Sequence, residues 1–305
     1  ESAGVVTSRH VVRAGENSKN LANVEAIFTS ALHAGLDRKS IIVALGGGMV
    51  GDLAGFAAAT FLRGVDFIQV PTTLLAMVDS SVGGKTGVNL KEGKNLAGAF
   101  HQPMEVDADI NSLSTLPDRE YRSGLAEVVK YGVIWDALLF HQLEQQVDAV
   151  LAKQPDVLSG IIARCCEIKA EVVSVDERDS GVRSILNFGH TFGHALETVA
   201  GYGTLLHGEA VSVGMVFAAS LSAAQKGFAR TDLDRLRNLL AEFGLPVRCG
   251  AECSWDSIRK AMNTDKKCSL GKPRFVLAEK PGAVLFGCEV TDSAMDAAYS
   301  TLNQD

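Results

Sequence analysis

Leu21, Val24, Ile27, Phe28 and Leu32 recur at helical spacing, which predicts an amphipathic helix over roughly 20–35. Ile41 to Leu45 is a short apolar run that ends in three glycines, the pattern of a buried strand followed by a tight turn. Residues 52–62, rich in Ala, Leu and Phe, predict a helix, and Phe67 to Val70 a second strand stopped by Pro71. Strand, glycine turn, helix and strand is the rhythm of a parallel α/β sheet. From about residue 115 the strand pattern fades. Segments 120–134, 136–153, 155–178, 189–201, 208–226 and 230–243 carry Ala, Leu, Val and Glu in helical patterns, and only 274–277 and 283–286 suggest short strands. The turn from Ser114 to Asp118 separates the two characters, so the expected domains are 1–114 and 115–305.

Composition narrows the class. The chain has 305 residues, of which 47% are hydrophobic and 21% charged, a balance that excludes intrinsic disorder. A net charge of -7 argues against general nucleic-acid binding, which needs a basic surface. No uncharged apolar run reaches the ~18 residues of a membrane span. The longest, Ala210 to Gln225, is diluted by Ala, Ser and Gly and reads as a buried helix. No basic and apolar leader pattern opens the chain, and the six cysteines form no Cys-x-x-Cys pair. Reduced thiols in a cytoplasmic protein are the expectation.

Three polar clusters carry candidate chemistry. Gly46 to Gly51 satisfies G-x-G-x-x-G between a predicted strand and helix, where a backbone can approach a pyrophosphate at a helix N-terminus. The acid that would read a ribose is out of place: Asp66 has the distance but precedes the strand core, so the motif also fits a plain tight turn. Thr72 to Asn89 is the densest polar stretch and reads as a glycine loop, with Lys85, Lys91 and Lys94 bringing charge for a phosphate or carboxylate. It is not a P-loop, because the first glycine is missing at the required spacing. Glu127 and Lys130 share a helical face in apolar company, either as a surface stripe or as a buried site. His190 and His194 lie four apart on another face, and His207 follows beside Gly208 and Glu209. A lone histidine pair is more often a cap or a core feature. Three of seven histidines within 18 residues, beside an acid, point to a divalent metal with an open coordination position.

Together these residues resemble the 3-dehydroquinate synthases, sugar phosphate cyclases of the shikimate pathway. The resemblance runs from Ala14–Lys19 to Asp265–Lys267, through Gly46–Phe56, Pro71–Asn89, Gly93–Phe100, Gly124–Gly132, Asn187–Glu197 and His207–Glu209. It implies a Rossmann-like NAD-binding α/β N-terminal domain, a mostly α-helical C-terminal domain and an active site in the cleft between them. It implies Zn²⁺, with Co²⁺ as a substitute, held by Glu127, His190 and His207. It places NAD along Glu16, Lys19, Gly48, Met49, Val50, Gly51, Asp52, Thr72 and Thr73, near Asp79, Lys85, Lys94, Ser112, Leu113, Ser114 and Thr115. The implied substrate is 3-deoxy-D-arabino-heptulosonate 7-phosphate, converted to 3-dehydroquinate and phosphate. Lys85, Lys169 and Arg183 are implied for its carboxylate side. Lys94, Asn95, Lys130, Asn187, His194 and one of Lys266 or Lys267 are implied for the rest and the phosphate. The resemblance also implies a homodimer in which Arg63 reaches the other subunit's site. Relatives carry a further strand–helix–strand segment ahead of Glu16, which the N-terminal domain here is expected to lack.

Sister cyclases are the nearest rivals. Valiolone-type synthases tend to lose the second histidine of the His-x-x-x-His pair and to alter the Asp-Ser-Ser stretch, whereas His194 and Asp79–Ser81 are intact here. Aminodehydroquinate synthases share nearly all the motifs. The metal-dependent glycerol dehydrogenase group would use Asp as the carboxylate ligand. A non-catalytic nucleotide-binding remnant would have lost a metal ligand, Lys85, Lys130, Arg183 or Asn187, and all are present.

Overall fold

The computed structural model describes residues 4–179, 181–201, 203–250, 253–264 and 273–302. Its contacts divide the chain into two compact units between Leu116 and Pro117.

The first unit is α/β. Helix α1, Leu21–His33, is capped by the Asn20 side chain, which accepts from the Asn23 N–H at 3.0 Å. Strand β1, Ile41–Gly46, leads into α2, Gly48–Thr60, and then into β2, Asp66–Pro71. Strands β1 and β2 run parallel, with Ile41 opposite Asp66 and Gly46 opposite Pro71. Helix α2 starts at Gly48 rather than at Asp52, so the last two glycines of the turn belong to its first turn. Alanines on α1 and α2 let both helices lie close to the sheet: Ala31 and Ala58 pack with Phe61, Val65 and Phe67, and Val24 with Leu53, Ala57 and Val88.

The polar stretch 72–89 is not a single loop. A π-helical turn at Ala76–Ser80 is followed by β3, Lys85–Leu90, which pairs antiparallel with β4, Gly93–Phe100. Thr86 and Val88 point inward while Lys85 is exposed, a strand alternation diluted by glycine and lysine until it no longer reads as one. A two-residue strand β5, Glu105–Val106, adds to β2 and completes the sheet order β1-β2-β5.

The second unit is mostly helical. It runs through α3, Asp118–Ile134; α4, Ala137–Gln145; α5, Val147–Leu151; α6, Pro155–Val175; α7, His190–Ala200; α8, His207–Gln225; and α9, Arg230–Glu242. The segment read as one helix over 136–153 breaks at Gln146, whose φ of -124° leaves the helical region. After α10, Trp255–Thr264, come β6, Phe275–Lys280, and β7, Ala283–Cys288, an antiparallel pair, and then α11, Asp292–Leu302. Neither α10 nor α11 is expected from the hydrophobic pattern.

Helix α8 is buried from Ala210 to Ser222, as a run of apolar and small residues without a charge predicts. Two glycines permit this. A Cβ at Gly208 would overlap the carbonyl oxygen of Ser123 on α3, and one at Gly214 would overlap that of Gly189 before α7. Helix α8 therefore lies directly against α3 and the start of α7. Among the described residues, no helix is long and apolar enough to cross a membrane, and Cys165, Cys166, Cys249, Cys253 and Cys288 form no disulfide.

Candidate active site

In the second unit, helices α3, α7 and α8 converge on one carboxylate. Glu127 sits mid-way along α3 and is fully buried. His190 is the first residue of α7 and His207 the first of α8, so two helix starts aim an imidazole at the same point. His190 Nε2 lies 3.4 Å and His207 Nε2 3.5 Å from Glu127 Oε1. Two ligands on a tetrahedral zinc with bonds of about 2.0–2.1 Å are separated by roughly 3.3–3.4 Å. Each imidazole thus stands from Glu127 at the spacing of a zinc shell, and all three donors lie within 4.8 Å of one another. His190 Nδ1 lies 3.2 Å from the Phe188 carbonyl, an acceptor that leaves the Nε2 lone pair facing the site.

Lys130, one turn along α3 and also buried, forms an ion pair with Glu127. Glu209 is not part of this group. Its carboxylate accepts from Arg119 at 2.7 and 2.8 Å and from the Leu206 N–H at 2.8 Å, while Arg119 also donates to the Thr204 carbonyl. This clamp ties α3 to the loop before His207, and Arg119 had no signal in the sequence pattern. Burial works against the Glu209 charge, but the Arg119 bond, the Leu206 N–H and the Arg119 charge together outweigh it and hold the carboxyl below its ordinary range.

The His207 imidazole responds to the same field. Burial pulls its pKa down, but hydrogen bonds to Glu127 and Glu197 outweigh that and raise it from the ordinary 6.5 to about 10. At neutral pH the metal-free chain therefore keeps a proton where a divalent ion would supply positive charge. A raised pKa stabilises the fold fully below about pH 6.5, and that contribution is lost as pH climbs through about 10. The melting temperature of chelator-treated protein is expected to fall across this window by more than that of His207→Ala. Divalent metal affinity is expected to rise over the same window, because the ligand nitrogens must be unprotonated.

The other predicted residues of this unit sit on neighbouring elements. Lys169 is buried on α6, and Arg183 is buried in the 3-10 segment Val182–Asn187 that ends with Asn187. The Arg183 guanidinium donates to the Glu177 carbonyl at 2.6 Å. The His194 ring lies 5.3 Å from that of His190 and 5.8 Å from that of His207. Lys266 and Lys267 fall outside the described residues.

In the first unit, buried Lys19 joins a predicted nucleotide residue, Asp52, to a predicted substrate residue, Asn95. Its Nζ lies 2.5 Å from Asp52 Oδ2 and 2.6 Å from Asn95 Oδ1. Asp52, Asn95 and Lys85 help line a cavity of about 320 Å³. Glu16 accepts from the Asn89 side chain at 2.9 Å. Gly48, Met49, Val50 and Gly51 form the first turn of α2, preceded by Gly47, which offers no side-chain cap. The Thr72 N–H donates to the Gly46 carbonyl at 2.9 Å, and Thr73 Oγ1 accepts from the Ala76 N–H. Asp79 lies in the π-helical turn, Lys94 in β4, and Ser112, Leu113, Ser114 and Thr115 in or just after the 3-10 segment Ile110–Ser114. Asp66 stands at the far end of β2 from the glycine turn, about 16 Å away at 3.3 Å per residue. It is too far to serve a group bound at that turn.

Comparison with known proteins settles the family. The family model described as 3-dehydroquinate synthase N-terminal matches residues 9–123, and 3-dehydroquinate synthase C-terminal matches 124–268. The chain belongs to the 3-dehydroquinate synthase family. A 3-dehydroquinate synthase of Picosynechococcus sp. is 50% identical over 293 residues, covering 95% of this chain and 80% of the relative. Among solved structures, a 2-epi-5-epi-valiolone synthase from Streptomyces hygroscopicus with NAD⁺ and Zn²⁺ bound superposes with a TM-score of 0.88 at 30% identity, covering 95% of this chain and 81% of that one. A 2-deoxy-scyllo-inosose synthase complexed with carbaglucose-6-phosphate, NAD⁺ and Co²⁺ follows at 0.84 and 30%, covering 94% and 81%. The family fold, an α/β N-terminal and a helical C-terminal part, is the one described above.

Proposed function

We propose that this chain is a 3-dehydroquinate synthase: it converts 3-deoxy-D-arabino-heptulosonate 7-phosphate to 3-dehydroquinate and inorganic phosphate. The observation that carries this reading is the convergence of Glu127, His190 and His207 at metal-ligand spacing in a chain of this family. The donor set of one carboxylate and two imidazoles suits Zn²⁺ or Co²⁺ and leaves a coordination position for substrate. A divalent ion bound there supplies Lewis acidity that lowers the pKa of substrate hydroxyls. NAD supplies a hydride acceptor, returned to its starting state in each turnover.

The protein's own part is positioning and charge. NAD is held by the first unit, along Glu16, Lys19, the Gly48–Asp52 turn and Thr72–Thr73, with Asp79, Lys85, Lys94 and Ser112–Thr115 nearby. The metal and most of the substrate contacts belong to the second unit. Buried Lys130, Lys169 and Arg183 place fixed positive charge where a substrate that is anionic at both ends must bind. Arg183 offers a planar fork to a carboxylate, Asn187 an amide, and His194 a donor beside the metal ligands. Lys85, Lys94, Asn95 and one of Lys266 or Lys267 complete the substrate contacts. The protein works in the cytoplasm as a homodimer, in which Arg63, exposed and held at a left-handed φ of 72°, reaches the other subunit's site.

The test is release of inorganic phosphate from the heptulosonate phosphate with and without NAD and chelator. Turnover that needs both cofactors, with no net build-up of NADH, is the expected result. Steady NADH accumulation would reveal a dehydrogenase instead. Turnover of sedoheptulose 7-phosphate in place of the heptulosonate would assign the chain to a sister cyclase.

A further inference from the structure

Two groups of potential metal donors share one imidazole. Glu127, His190 and His207 form the first group, and His194, Glu197 and His207 the second. His207 meets them with different nitrogens: Nε2 lies 3.5 Å from Glu127 Oε1, and Nδ1 lies 3.3 Å from Glu197 Oε2. A neutral imidazole has one N–H and one lone pair, so only one of its nitrogens can bind a cation. We propose that Glu197 is a positioning residue: by accepting the Nδ1–H of His207 it turns the ring and fixes the tautomer that presents Nε2 to the metal. The inference rests on the metal reading above and adds to it a residue outside the three ligands.

The helix geometry explains why Glu197 can do this. His190 opens α7, and Glu197 stands seven residues on, two turns along the same face. One helix therefore carries a ligand at its start and the orienting group for the next ligand further along. The two imidazoles are oriented by different means. His190 gives its Nδ1–H to a neutral backbone carbonyl, that of Phe188, whereas His207 gives its own to a carboxylate. A carboxylate acceptor makes the metal-facing nitrogen more basic as well as better aimed. Burial separates the two carboxylates in role: Glu127 is wholly enclosed, while the Glu197 side chain is 13% exposed. A cation in the first group neutralises the deeper charge, the one that costs more to leave uncompensated.

The experiment titrates Co²⁺ into chelator-treated full-length chain, reading affinity and the visible d–d band for wild type, Glu197→Ala, Glu197→Gln and Glu127→Ala. Circular dichroism confirms that each variant is folded. Glu197→Ala is expected to keep one Co²⁺ with a tetrahedral-type band but to bind it about 10–100-fold more weakly. Glu197→Gln keeps an acceptor for the Nδ1–H without the charge and is expected to fall between Glu197→Ala and wild type. Glu127→Ala is expected to lose the ion. Unchanged affinity in Glu197→Ala would overturn the inference alone. Loss of the ion in Glu197→Ala but not in Glu127→Ala would also overturn it, placing the cation in the second group. Wild-type chain that takes up no Co²⁺ would overturn the metal reading, and this inference with it.

Discussion

His190→Ala is expected to strip the divalent ion from the protein and to lower phosphate release by at least ~10³-fold, the rate equivalent of several kcal/mol of lost charge stabilisation. The reason is local. His190 Nε2 lies 3.4 Å from Glu127 Oε1, opposite the 3.5 Å approach of His207 Nε2. Without it one carboxylate and one imidazole remain, too few to hold Zn²⁺ or Co²⁺ against water. The fold is expected to survive. His190 opens α7 instead of filling its core, and the buried α7–α8 contact is made by Phe192, stacked on Phe217 at 4.3 Å. Metal analysis after dialysis, with circular dichroism as the control, checks this. A His190→Ala protein that retained one ion per chain would remove His190 from the ligand set.

Gly208→Ala is the second large effect, and here stability and the site fail together. Gly208 follows His207 on α8, and its N–H donates to Ser123 Oγ on α3 at 3.0 Å. The added methyl group would occupy the space of the Ser123 carbonyl, which is helix backbone and cannot yield cheaply. Helix α8 must withdraw from α3, at an expected cost of about 1–3 kcal/mol, or a fall in melting temperature of several degrees, roughly 2–4 °C per kcal/mol. His207 moves with the helix start and Glu127 does not, so metal affinity is expected to fall as well. Gly160→Ala is the control: it lies in α6 with nothing within 4 Å of a Cβ, and is expected to leave the metal in place and to stabilise slightly. Equal melting temperatures and metal contents in the two variants would contradict the close α3–α8 approach.

Much of this arrangement was legible from residue types alone, for reasons that differ by element. The buried nature of α8 follows from an apolar run diluted only by small residues, which no solvent-facing helix would carry. The Gly46–Gly51 turn showed because strand, glycines and helix come in sequence, although the helix begins four residues before the pattern placed it. Strands β3 and β4 were hidden because lysines, asparagines and glycines interrupt their alternation, and because pairing between strands is not written in either one alone. Helix α11 buries Met295, Ala298 and Leu302 at helical spacing, a signal present in the chain but carried by few apolar residues.

The site divides in the same way. Histidine density pointed to a metal, but residue types left open which acid joins it, and Glu209 lies nearest in sequence. The fold turns Glu209 to Arg119 and brings in Glu127 from a helix far upstream. Arg119 and Glu197 act through contacts made between helices, which no local pattern can show.

The most direct test of the metal centre is anomalous diffraction from crystals of the intact chain grown with Zn²⁺ or Co²⁺. The expected result is one peak per chain, about 2.0–2.2 Å from a Glu127 carboxylate oxygen and from Nε2 of His190 and of His207. A peak bounded instead by His194, Glu197 and Nδ1 of His207, or no peak near Glu127, would contradict it.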